Sequence, residues 1–312
     1  MAKSDDALTN PHLIFENMAR VKRLVDAMKY TGPITVAGDC TKVRQRLSYS
    51  TDFGSHVLGS LLPLEECEVD EPEEIDGIIA EIKKQKAIAS QTRAIVGKVC
   101  THDYCPNQIG ININQIPLPE YPPIVIALIP ANGKDTAEVI HEQHMLLLKM
   151  AKRLDLKVLV LAADGAAPEL KAQAMMDSEK SDYPPLVYQY PLYGINMKAP
   201  VFKTGPCISE TDCPHSGKMA RNQLQYGTHT ASLGVGVLTN RLLVDLYETG
   251  TSGLVLKDVE NVDKQDDGAA RRVLHSVALE ATTEIENGER KVRAGFVGLF
   301  AFLFIFGESF GI

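Results

Sequence analysis

The stretch KVLVLAADGAAPEL, Lys157 to Leu170, decides how the rest of the chain is read. Val158 to Ala163 is a short, unbroken apolar run, which predicts a strand buried on both faces rather than an amphipathic element. It ends at Asp164-Gly165, a turn pair. Upstream, Thr136 to Leu154 carries Ile140, Leu147, Ala151 and Leu154 near helical spacing, and IVIALI (Ile124 to Ile129) is a second β-branched apolar run. Strand, helix and strand, with both strands apolar throughout, predict an α/β fold with helices on both faces of a sheet.

Further back, ITVAGDC (Ile34 to Cys40) repeats the pattern of a short strand ending at an acid, Asp39. A predicted amphipathic helix over 11–29 precedes it, with Asn10 as N-cap and Pro11 in the first helical position, and Gly32-Pro33 breaks it. Lys42, Arg44 and Arg46 lie in a polar connection to a weaker strand over 55–62. The acidic run EECEVDEPEEID (Glu65 to Asp76) leads into a helical stretch carrying Ile75, Ile78, Ile79, Ile82 and, later, Ile88 and Ile95. Acids in a first helical turn suit the macrodipole, which explains the run without any partner. Beyond Asp164 the pattern predicts a helix over 169–176, a strand over 186–193 and a helical region over 216–247 weakened by Gly234 and Gly236.

The chain has 312 residues, room for about two domains. With 45% apolar and 23% charged residues the composition is globular, and the absence of Trp leaves aliphatic packing dominant. A net charge of −8 and a pI of about 5.5 exclude an autonomous basic DNA binder, so any nucleic-acid contact is local. Six scattered cysteines and a start without a signal-peptide pattern predict reduced thiols in a nuclear or cytoplasmic protein. The apolar end AGFVGLFAFLFIFGESFGI (Ala294 to Ile312) is short for a membrane span and punctuated by glycines, which predicts a core helix and no membrane partner.

Asp39 and Asp164 are the first candidates for chemistry. Neighbouring strands lie about 4.8 Å apart, so carboxylates at their ends can share a divalent cation, Mg²⁺ or Mn²⁺. Paired metals of this kind activate an oxygen nucleophile and stabilise the leaving oxygen in phosphodiester cleavage. The competing reading is an ordinary turn or helix cap after a strand. A second group, TDCPHSGKMARNQL (Thr211 to Leu224), gathers Asp212, His215, Lys218, Arg221 and Asn222. His215, Lys218 and Asn222 share a helix face able to grip a phosphate backbone or flank a metal, or to form a plain polar face behind an Asp cap. Two Cys/His groups, Cys100-His102-Cys105 and Cys207-Cys213-His215, lack a tight CxxC and do not predict zinc. Asn132 to Thr136 lacks the first P-loop glycine, Gly234-Val-Gly236 lacks the third dinucleotide glycine, and there is no GxSxG.

Taken in order, these segments resemble the P-element family of transposases and related transposon proteins of fungi. ITVAGDCTKVRQRL (Ile34 to Leu47) is similar to the family's first strand with its acid, and KVLVLAADGAAPEL to the strand bearing the second. TDCPHSGKMARNQL resembles an Asp-Pro-Pro-His segment with Cys213 in place of the first Pro, and LKDVENVDKQDDGAARRVLHSVALEA (Leu256 to Ala281) resembles a segment within or near the inserted domain. The resemblance implies an RNase H-like mixed sheet flanked by helices over 34–222, after an N-terminal helix and linker over 1–33. A partial helical insertion then occupies 223–312. The first and fourth strands are expected to be adjacent and parallel, the strands at 124–129 and 158–163 antiparallel, and Asp39 and Asp164 the first two metal-binding acids.

Departures from the family shape the functional expectation. Only 33 residues precede Ile34, without the cysteines of a zinc-binding DNA module, and Glu284, Glu286, Glu289 and Glu308 are the late candidates for the third acid, none in matching context. These features predict a truncated, transposase-derived protein with weakened DNA binding. Lys264-Gln-Asp266 echoes a guanine-reading Lys-x-Asp, so GTP enters as a further hypothesis. Three functions compete: a metal-dependent DNA nuclease and strand transferase, a non-catalytic interaction or regulatory remnant that can homo-oligomerise, and an unrelated small-molecule α/β enzyme.

Overall fold

Alternation along Ile34–Lys42 (β1) buries Ile34 and Val36 and sets the centre of the sheet in this computed structural model. The described residues are 8–99, 123–225, 231–233 and 236–309. They belong to two units, Met1–Glu210 and Thr211–Ile312, each considered by itself.

In the first unit, β1 pairs antiparallel with β2 (Gln91–Val99) from Ile34↔Val99 to Lys42↔Gln91. β2 pairs antiparallel with β3 (Ile124–Ala131), and β1 pairs parallel with β4 (Val158–Ala163). β5 (Ile208–Thr211) adds to β4, so the order is β3-β2-β1-β4-β5. A mixed sheet in this order, flanked by helices, is the RNase H-like arrangement. The helices α1 (Phe15–Ala27), α3 (Ala137–Arg153) and α4 (Ala167–Asp177) share one core with the sheet, built from Met18, Val21, Ile34, Val36, Ile126, Leu147, Val158 and Met176. Thr136 caps α3 by accepting the Val139 N–H, and Lys152 and Arg153 meet the negative end of its dipole.

Several expectations are corrected here. The strands at 124–131 and 158–163 run in the same direction, because two antiparallel steps followed by one parallel step restore the original sense; β2 and β1 lie between them. The first helix begins at Phe15, with Ile14 at its N-cap. Pro11 instead offers its carbonyl to the Leu128 N–H at 2.6 Å on the edge strand β3, and Asn10 accepts the His12 N–H. The helix after the acidic run, α2 (Ile75–Lys84), stops where Lys86 takes a left-handed backbone with φ of 55°, so Ile95 belongs to β2. The acidic run itself contains a capping box in which Glu74 accepts the N–H of Glu71, and Cys67 and Val69 within it are buried beside Ile82.

The second unit begins with α5 (Cys213–Leu224), which the sequence predicts as the end of the first domain. The expected helical region over 216–247 is three elements: α5, a hairpin of Ala231–Leu233 with Gly236–Leu238, and α6 (Asn240–Glu248). Gly236 has a packing reason rather than a weakening one, since a Cβ there would lie 2.8 Å from Gly298 Cα. α7 (Asp267–Leu274), α8 (Ser276–Ala281) and α9 (Val297–Ser309) complete the unit with a second hairpin, Thr283–Glu286 with Glu289–Val292. The apolar end packs as expected, with Phe296, Leu299, Phe302 and Leu303 in a core with Leu224, Leu243, Leu246 and Val273. Among the described residues no helix is long and apolar enough to cross a membrane.

Candidate functional site

Register sets the two acids side by side, Asp164 just past the end of β4 and Asp39 inside β1, which continues to Lys42 rather than ending at the acid. Gly38 is the partner of Ala163 across the parallel β1–β4 ladder, so the next step in each strand is Asp39 and Asp164. Alternation puts Asp39 on the face opposite Val36, Gly38 and Cys40, away from the side where Val36 joins the helix-covered core. Asp39 is exposed and Asp164 half-buried. Asp164 Oδ1 accepts the Ala166 N–H at 2.9 Å, Gly165 takes φ of 83°, and α4 follows with Pro168 in its first turn. The strand-end position and the turn role therefore coexist at Asp164, and one of its oxygens is already engaged.

The nuclease centre that the resemblance implies needs a third acid beside these two carboxylates. Among the described residues no group of three or more His, Cys, Asp or Glu side chains is placed to hold an ion. Glu284, Glu286 and Glu289 sit on the exposed hairpin of the second unit, not on a helix, and Glu286 pairs with Lys291 at 2.8 Å. The Glu308 side chain lies outside the described residues. Among the described residues the donor set does not make a complete nuclease site, and no cleavage step is drawn from it.

Behind the acids, on the other face of the sheet, lies a buried charge cluster that the sequence did not mark. Arg93, across from Cys40 in the β1–β2 ladder, places Nη1 2.6 Å from Glu169 Oε1 on α4. Its Nε lies 3.5 Å from Asp135 Oδ2. Burial pushes the Glu169 carboxyl up while the Arg93 guanidinium opposes the shift. His144, facing Gly38 and Arg93 from α3 across a cavity of about 10 Å³, is driven down to about 4, mainly by burial and then by the charges of Arg93 and His141. The available signal was an arginine in step with Ile95, Gly97 and Val99 on the buried face of QTRAIVGKV, where an unpaired charge is not tolerated.

The second candidate group is built differently from its sequence reading. Arg221 is fully buried and donates from Nη2 to the Asp263 carbonyl at 2.9 Å and to Asn222 Oδ1 at 2.8 Å, and from Nη1 to the Asp266 carbonyl at 3.3 Å. Asn222 Nδ2 donates to the Lys264 carbonyl at 3.2 Å, and Lys218 Nζ pairs with Asp267 at 2.9 Å. These side chains clamp the 263–267 loop. Asp266, half of the Lys-x-Asp echo, caps α7 through Ala269 and pairs with Lys257 at 3.0 Å. Asp212 precedes α5 without a side-chain cap, and His215 is half-buried on its first turn. Cys207 is buried and its thiol is pushed up to about 12 by desolvation. Cys100, His102 and Cys105, like Gly234 and Val235, lie outside the described residues.

The strand order and the flanking helices define an RNase H-like fold. Among solved structures the chain is similar to the Drosophila P element transposase in its strand transfer complex, with a TM-score of 0.52 and 12% identity over 93% of this chain. The match covers 54% of that chain, so this protein spans about half its length. At this identity the likeness is one of fold. No family model and no curated protein matches the sequence.

Proposed function

We propose that this chain is a transposase-derived protein: its ancestor cleaved and joined DNA with divalent metal at the Asp39–Asp164 pair, and it now acts as a non-catalytic binding or regulatory remnant. The observation that carries this reading is the juxtaposition of Asp39 and Asp164 at the end of the parallel β1–β4 register, with no third side chain grouped with them to hold an ion among the described residues. DNA, and a second copy of the chain, are the partners this ancestry assigns; Mg²⁺ or Mn²⁺ is the ancestral cofactor, with GTP a secondary candidate, and the expected location is intracellular.

The test is calorimetric titration with Mg²⁺ and Mn²⁺ beside a plasmid-nicking assay, on the wild type, Asp39→Ala and Asp164→Ala. The reading expects at most weak, millimolar ion binding that each substitution abolishes, and no nicking. Nicking by the wild type that disappears in both variants would overturn the non-catalytic part. Metal binding that ignores both substitutions would remove the ancestral site.

A further inference from the structure

Within the first unit, the C-terminal half of α3, the segment after α4 and the turn at residues 202–204 enclose a cleft of about 480 Å³. Its size is that of a small-molecule site. Leu148 is buried at its floor, with Met145 and Phe202 half-buried beside it. Four lysines surround this apolar floor: Lys149, Lys152, Lys180 and Lys203. All are exposed, and none forms an ion pair among the described residues. The carboxylate that lines the cleft, Asp182, accepts the Lys203 backbone N–H at 3.0 Å and so holds the turn.

Thr204 adds an independent sign. The residue borders the cleft, is only 6% exposed, and its hydroxyl, buried just beneath the cleft wall, has no hydrogen-bond partner among the described residues. A buried hydroxyl left unpaired costs stability, so its place is explained by a ligand atom that pairs with it. Concentrating four unpaired cations in a chain of net charge −8 likewise points outward, to a negative group.

We propose that this cleft binds a small amphipathic anion, an alkyl or aryl group of roughly eight carbons bearing a phosphate or carboxylate. The tail lies over Leu148, Met145 and Phe202, the head sits among the lysines, and Thr204 donates to a head-group oxygen. Apart from Thr204 the residues lining the cleft offer no neutral hydrogen-bonding side chain, which disfavours a sugar or a base in the apolar part. This inference is independent of the transposase reading.

The probes are octyl phosphate, inorganic phosphate and 1-octanol, titrated into the full chain by calorimetry, with phosphatidylglycerol vesicles as a separate arm. Octyl phosphate is expected to bind one saturable site at least tenfold more tightly than either inorganic phosphate or octanol. The double reversal Lys149→Glu/Lys152→Glu is expected to weaken it at least tenfold, while Lys83→Glu/Lys84→Glu on α2, an equal change in net charge, leaves it unaltered. Thr204→Val is expected to weaken binding several-fold with Tm unchanged or raised, because the hydroxyl it removes has no partner in the protein. Absence of saturable binding, equal loss in both lysine pairs, or binding to vesicles without binding to free octyl phosphate would overturn the proposal.

Discussion

Arg93 on β2 and Glu169 on α4, 76 positions apart, meet at 2.6 Å with side chains only 5% and 6% exposed. The pair fastens the helix after Asp164 to the strand beside Asp39, so it positions both candidate acids from the opposite face of the sheet.

Removing Glu169 leaves the buried Arg93 with only its longer contact to Asp135, and removing Arg93 leaves the Glu169 carboxyl buried without its partner. Glu169→Ala is expected to destabilise the first unit by about 3–5 kcal/mol, whereas Arg93→Met/Glu169→Leu, which removes both charges, stays within about 2 kcal/mol of the wild type. Urea unfolding with hydrogen exchange read in β2 and α4 measures this. Additive single-variant losses would show that the two residues are not coupled.

Acid sensitivity is expected to come in part from His144. Its folded value of about 4 lies below the ordinary 6.5, so the unfolded chain takes up the proton more readily. The contribution is full above pH 6.5 and is lost as pH falls toward 4, amounting to up to about 3 kcal/mol. Comparing wild type with His144→Gln from pH 7.5 to 4 isolates it: the variant is expected to show the shallower decline. Parallel curves would mean that the imidazole titrates normally in the fold.

Arg221 is expected to behave as a structural clamp. Its fork engages two backbone carbonyls and Asn222 while fully buried, so Arg221→Ala costs about 3 kcal/mol or more and Arg221→Lys does not rescue, because an ammonium cannot reproduce the planar set of donors. Thermal unfolding and amide exchange across 263–267 give the readout. A stable Arg221→Ala variant with impaired DNA binding would instead support the phosphate-contact reading.

The contact between Gly236 and Gly298 predicts an asymmetric pair of variants. A Cβ on Gly236 would stand 2.8 Å from Gly298 Cα, and one on Gly298 would stand 3.2 Å from Gly236 Cα. Gly236→Ala is expected to cost about 2–3 kcal/mol by overpacking, while in Gly298→Ala a gain in helix propensity of roughly 1 kcal/mol offsets part of the strain. Circular dichroism melts of the two variants distinguish them. Equal Tm values would show that α9 and the hairpin do not pack this closely.

Much of the first unit was legible because its signals are local. Val158 to Ala163 and Ile124 to Ile129 are strands by their own apolar content, and Thr136 to Leu154 is a helix by its own spacing. Asp164 follows its strand as the apolar run predicts, whereas Asp39 lies inside β1, which runs on to Lys42 because Cys40 to Lys42 keep pairing with β2. Local pattern was less informative where a partner chose the conformation. Residues 10–12 extend because Pro11 serves the edge of β3, and Gly236 joins a hairpin because α9 comes close to it.

The sequence by itself determined the central strands and the long helix of the first unit and the acids that follow their apolar runs, since those properties follow from periodicity and composition within a few residues. Tertiary structure decided the strand order that sets Asp39 beside Asp164, the fastening of Arg93 to Glu169, the turning of Arg221 inward onto the 263–267 loop, and the convergence of four lysines with Thr204 on one cleft. Each depends on contacts between residues far apart in the chain, and such contacts leave no period in the sequence.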